Sequence, residues 1–217
     1  MRALPRCRAV MIFLGCVAVG GLAGCGTSEP AAPPVEPLQM VYTPPSGTPG
    51  GMSTIRRNGD ATQWLERAST NLRDLGFTVT HTDPIGGFVV ATRSIPPRDG
   101  VDCGWIVEAG VSGSRELHHA SEPDLAVDIY DDGKLIKARR STDLDTRVVI
   151  VARQVDEERT ELTSRAAYVV VRKTSGPAAI QSVNEVIYFG SGESESFDKG
   201  TICQPTGTLE RAVLANL

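Results

Sequence analysis

Histidine is scarce in this chain. Its 217 residues hold three, His81, His118 and His119. The adjacent pair lies near Glu116, Glu122 and Asp124, where a surface metal site can be imagined, but neighbouring strand residues point to opposite faces, which makes a shared ion awkward. They read as solvated loop histidines. Basic charge is also in short supply, with 22 Lys+Arg against 26 Asp+Glu. That balance disfavours nucleic acid, whose binding rests on neutralising phosphates, and offers no basic patch for anionic headgroups. The uncharged apolar stretch after Arg8 falls short of the ~20 residues a spanning helix needs, and Gly15, Gly20, Gly21 and Gly24 interrupt it. No internal repeat is evident.

Motifs for chemistry are missing as well. Gly190 and Gly192 flank Ser191 without forming a nucleophile elbow, and no base has a placed partner. Asp128 to Gly133 fails as a calcium loop, because Tyr130 takes its third position and Arg139 its twelfth, where a bidentate Glu belongs. Glu193 and Glu195 read as a solvated acidic loop. Arg139-Arg140 against Asp143 and Asp145 reads as surface charge on a sheet edge, a guard against strand pairing between molecules. The expectation is a protein that is no enzyme, with no catalytic residues, no metal and no cofactor.

Cysteines number five, and their positions differ in meaning. Cys7, Cys16 and Cys25 fall in the N-terminal region, which leaves Cys103 and Cys203. In an oxidising compartment these form one bridge. Two buried free thiols are the alternative; a metal site lacks a neighbouring Cys or His at ligand spacing.

The N-terminus carries the strongest signal. Arg2, Arg6 and Arg8 precede an apolar region over Ala9 to Val19, and Leu22-Ala23-Gly24-Cys25 follows. This order is that of a secretory signal, and Leu22 to Cys25 resembles the lipobox of bacterial lipoproteins. The resemblance implies cleavage after residue 24 and diacylation of Cys25, so that lipid anchors the protein to a membrane. Removing 1–24 takes three arginines and no acid, leaving 19 basic against 26 acidic residues and a formal net charge of −7. Gly26, in place of Asp, resembles the pattern that permits sorting to the outer membrane, facing the periplasm.

Residues 25–59 read as a flexible tether. Half of the fourteen prolines fall there, and such a composition cannot bury enough apolar surface to order itself. Within it Leu38, Met40, Val41 and Tyr42 form an apolar island, read either as an edge-strand contact with its own domain or as a short motif that adds to a partner.

A single domain is expected over 60–217. Asp60 and Gln63 fit a capping box. Leu65, Ala68, Leu72 and Leu75 recur at helical spacing, Trp64 broadens that stripe, and Gly76 supplies the left-handed stop. Strands follow over 77–80, 88–92, 103–109, 125–130, 135–139, 146–155, 161–173 and 183–189, with 110–124 the least readable part. Asp131-Asp132-Gly133 reads as a hairpin turn. Thr208 caps a short terminal helix bearing Leu209, Ala212, Val213 and Leu217. The fold class is α+β, an antiparallel meander of about six to seven strands against an N-terminal and a short C-terminal helix.

A lipobox, a Pro-rich tether and a helix whose Leu72-Arg73-Asp74-Leu75-Gly76-Phe77-Thr78-Val79 end feeds a strand are together similar to periplasmic helix-grip lipoproteins. That group includes the C component of the outer-membrane β-barrel assembly machinery. The chain departs from that component in fitting one such domain where the component has two. The resemblance implies a helix-grip-like fold and an envelope protein as partner. The resulting expectation is a lipid-anchored binding or scaffold protein. The alternative is a carrier holding an apolar ligand between helix and sheet, with Trp64, Phe77, Phe88 and Trp105 lining the cavity.

Overall fold

The computed structural model describes residues 41–109, 115–131, 134–176, 182–198 and 200–217. Residues 1–40, which include the expected signal region, Cys25, Leu38 and Met40, lie outside them. The chain runs β1 (Val41–Thr43), β2 (Ser53–Asn58), α1 (Ala61–Asp74), β3 (Thr78–Asp83), β4 (Phe88–Ile95), α2 (Pro97–Gly100), β5 (Val101–Asp102) and β6 (Trp105–Ala109). It continues through β7 (Arg115–His119), β8 (Asp124–Asp131), β9 (Lys134–Gln154), β10 (Arg159–Ser175), β11 (Val183–Gly190), β12 (Glu195–Ser196), β13 (Ile202–Pro205) and α3 (Thr208–Ala212).

Antiparallel pairing dominates, as the sequence implies. A seven-stranded sheet is built around two long neighbours, β9 with 21 residues and β10 with 17. Each exceeds its partners in length, so two strands share each outer edge. β4 and β8 line the same side of β9, and β2 and β11 line the same side of β10. β3 closes the β4 side. Two smaller three-stranded sheets, β1-β6-β7 and β12-β13-β5, complete the fold.

α1 forms where its caps and stripe agree. The Asp60 carboxylate accepts from Thr62 N at 2.7 Å, satisfying one of the orphan donors of the first turn. Ala61 N, the first N–H inside the helix, donates to Gln154 Oε1 of β9 at 3.0 Å. At the other end Phe77 N donates to Leu72 O and Gly76 N to Arg73 O, both at 2.9 Å. This is the paired Schellman arrangement, and Gly76 supplies its left-handed residue at φ 79°. Trp64, Leu65, Ala68 and Leu72 are buried where the helix crosses β3, β4, β9 and β10.

Three expectations change at this level. The folded body starts well before residue 60, because β2 pairs along β10 and β1 along β6. β2 carries one apolar residue, Ile55, so ladder hydrogen bonds hold it more than burial does. Between these strands Gly50 N donates to Pro205 O and Gly50 O accepts from Gly192 N, both at 2.7 Å. A Cβ on Gly50 would fall 2.1 Å from the Gly207 nitrogen, so only glycine permits that crossing. Next, Arg139 and Arg140 lie on no edge, since β8 and β10 flank β9 at that point. Last, α3 is capped by Gly207 at φ 70°, and Thr208 is its first residue. After Ala212 the chain tightens into three-residue turns, with Leu214 N to Arg211 O and Leu217 N to Leu214 O. Leu209 and Val213 are buried as expected, together with Glu210 and Leu214 one position on, whereas Ala212 is exposed.

Candidate functional site

Cys103 and Cys203 stand at disulfide distance, 2.03 Å between sulfurs, and both are buried. Cys103 directly follows β5, and Cys203 lies in β13, the strand that pairs with β5. Tyr42 joins this corner from β1. Its hydroxyl accepts from Ile202 N at 2.9 Å and faces the carbonyls of Cys103 and Ile202, each at 3.2 Å. Burial, the largest influence on it, raises the Tyr42 pKa. Tyr42 of the apolar island is therefore turned onto its own domain, whereas Val41 faces solvent.

His119 departs from the solvated reading. It is buried in β7, edge-on to Trp105 with ring centroids 5.0 Å apart. Ser121 Oγ lies 2.6 Å from His119 Nδ1, and Ser121 N donates to the same atom at 3.3 Å. A backbone N–H can only donate, so Nδ1 accepts and Nε2 carries the proton toward Asp102 Oδ1 at 3.3 Å. The result is a Ser–His–Asp chain, yet Ser121 is 0% exposed. The three groups tie together the corner beside Cys103, with the hydroxyl closed off from solvent.

Burial lowers the His119 pKa, with Asp102 opposing the shift. The unfolded chain therefore binds a proton at a pH where the folded protein does not. Stability falls as pH drops below about 6.5 and levels off below the folded pKa. Melting temperatures from pH 7.5 down to 5 should show this loss, and His119→Gln should flatten the same window relative to the parent protein.

Two further buried polar groups sit on the inner face of the large sheet. Arg172, 1% exposed, donates from Nε and Nη2 to the Glu185 carboxylate at 3.0 and 3.1 Å and from Nη1 to Thr201 Oγ1 at 3.0 Å. Its guanidinium stacks 3.8 Å from the Phe197 ring centroid. Arg140 lies close enough that burial, the Arg172 charge and a smaller opposing pull from Glu185 together bring its pKa to about 10. In the second group, Tyr168 Oη at 2.9 Å and Ser191 Oγ at 2.6 Å both donate to Glu210 Oε1. Ser191 is thereby a structural ligand of a buried carboxylate. Burial, then the Glu210 charge, raises the Tyr168 pKa, keeping its phenol protonated as a donor.

The four aromatics proposed to line a ligand cavity do not come together. Trp64 is buried on α1 and donates to Asn58 O at 3.0 Å. Phe77 sits under Arg93 at the helix end. Phe88 pairs with His81 on the outer hairpin, and Trp105 belongs to the separate β1-β6-β7 sheet. Among the described residues, no cluster of three or more His, Cys, Asp or Glu is placed to hold a metal ion. Asp128, in the segment weighed as a calcium loop, pairs with Lys137 in a regular ladder.

What the sequence did not single out is the outer face at the β11 edge. Tyr188 is opposite Val169, and Val186 is opposite Val171. Tyr188 is 68% and Val186 44% exposed, and both valines of β10 are half-buried. Beside them runs an open groove of about 400 Å³ between β11 and the Glu195–Asp198 segment. The signal was the unbroken apolar run Val186-Ile187-Tyr188-Phe189. On a strand such a run gives both faces apolar side chains, while only Ile187 and Phe189 enter the core.

No family model matches the chain, and comparison with curated proteins and with solved structures returns no match.

Proposed function

We propose that the protein is a lipid-anchored, non-enzymatic binding domain of the bacterial envelope. Lipid on Cys25 holds it at the outer membrane facing the periplasm, and a second envelope protein is its partner. The carrying observation is the apolar patch of Val186, Tyr188, Val169 and Val171 at the open edge of β11. An edge strand offers free backbone donors and acceptors to an extended segment of a partner. Here that row is bordered by exposed apolar side chains and a groove able to take side chains from an added strand. The partner class comes from the resemblance to helix-grip lipoproteins, which also suggests a role as accessory to outer-membrane assembly. Against enzymatic function stand the closed Ser121 hydroxyl and the structural use of Ser191.

In cells, a photo-crosslinking residue placed at Tyr188 should give a discrete adduct with an envelope protein. The same residue at Arg165, exposed on the outer face of β10, should not. Val186→Asp should abolish the adduct while the protein stays folded and anchored. Equal labelling from both positions, or an adduct indifferent to Val186→Asp, would sink the edge-pairing reading.

A further inference from the structure

We infer that the outer face of the β1-β6-β7 sheet rests on the lipid bilayer to which the chain is anchored, an inference that depends on the lipid-anchored reading of Cys25. Register sets out this face. Val41, Val107 and Leu117 form one cross-strand row, and Thr43, Trp105 and His119 form the next. Tyr42 and Ile106 belong to the opposite face, where Ile106 is buried and Tyr42 reaches the disulfide corner. Seen from outside, Val41 is 54%, Leu117 59% and Trp105 39% exposed, with Val107 half-buried between them. An apolar group of this kind on a soluble surface marks an interaction site.

The chain itself argues for lipid as the occupant. β1 is the first described strand, and residues 26–40 alone separate it from Cys25. Fully extended they reach about 50 Å, so a lipidated Cys25 keeps this sheet, at the root of the tether, at high effective concentration near the bilayer. Trp105 suits the boundary, since an indole has an apolar body and one polar N–H. Its edge-to-face contact with His119 holds the ring in place.

The charges around the face decide the mode of contact. Glu116 and His118, 3.5 Å apart, belong with Ile106 to the opposite face, and Glu122, beyond the end of β7, lies 3.6 Å from Arg98. The register adds one further row to that outer face, Ala109 opposite Arg115; a single basic residue contributes only about 1 kcal/mol at an anionic surface, so contact comes chiefly from apolar insertion. It should occur on zwitterionic bilayers and persist in high salt.

The sequence has two tryptophans, and Trp64 is buried on the inner face of α1, which makes Trp105 the reporter. The lipidated full chain is reconstituted into phosphatidylcholine vesicles, plain or brominated on their acyl chains. Brominated lipid should quench the Trp105 contribution, at low and high salt alike. Trp105→Phe should remove the quenching, and Leu117→Glu should abolish it while the protein still floats with the vesicles. If the parent protein floats but its fluorescence ignores bromine, the inference is overturned and the anchored reading stands. If the parent protein floats no better than Cys25→Ala, the anchored reading fails and takes the inference with it. A dimer in detergent that Leu117→Glu dissociates would assign the face to a second copy of the chain, again overturning the inference.

Discussion

Glu185→Leu should destabilise the domain by about 3–5 kcal/mol, the usual result of stripping one partner from a buried ion pair. Arg172 is 2% and Glu185 12% exposed at their side chains, so water cannot replace the lost carboxylate. The variant would also remove the Glu185 charge that favours charged Arg140, which Arg172 already repels. The repulsion between the two guanidinium groups would then lose the carboxylate that offsets it. At roughly 2–4 °C per kcal/mol for a domain of this size, the melting temperature should fall by roughly 10 °C. Arg172→Met combined with Glu185→Leu should recover part of that loss, because no unpaired charge is left behind. Urea midpoints measure both variants. A double variant as unstable as the sum of the two single ones would mean that the groups do not act as a pair.

Cys103→Ser and Cys203→Ser should each lower stability by about 2–5 kcal/mol, with the double variant little worse than either. The bridge spans a sequence separation of 100. The chain-entropy model values such a loop at roughly 4.7 kcal/mol, though many bridges deliver less. Its place in the fold argues for a large effect. It ties β5 to β13, and the Tyr42 hydroxyl bonds backbone on both sides of it. Denaturation with and without reductant should reproduce the difference in the parent protein and show none in the variants. Additive losses would mean two independent buried thiols.

The sequence made α1 legible because three local signals agreed there: the Asp60 cap, the apolar stripe and the Gly76 stop. The β3–β4 hairpin, β8 and β11 were readable from alternation or apolar runs. β9 was not, and it was taken for two strands. Its inward positions run Ala138, Arg140, Thr142, Leu144, Thr146 and Val148, so half the inner face is polar and the period-two hydrophobic signal fades mid-strand. β2 was hidden for a related reason, being polar and set in a Pro-rich stretch. The Ser121–His119–Asp102 and Tyr168–Glu210–Ser191 groups were invisible because only the fold brings Asp102 to His119 and Glu210 to Tyr168. The cysteine pair was legible from arithmetic alone, whereas the exposed patches needed the register of the strands.

The positions of β1 and β2 bear on how the protein acquires its structure. β1 and β2 are held by residues about 160 positions further along the sequence. Tyr42 binds Ile202, Gly50 binds Pro205, and Arg57 Nε donates to Leu217 O at 2.7 Å. Contacts so distant in sequence form slowly, since a long loop must close before they contribute. These contacts must therefore wait until β13 and α3 have been made, although the local pairs β3–β4, β8–β9 and β9–β10 need no such wait. The wait leaves the unfinished chain exposed to aggregation, and a holding chaperone should raise its folded yield more than it would for a protein whose pairings are all local.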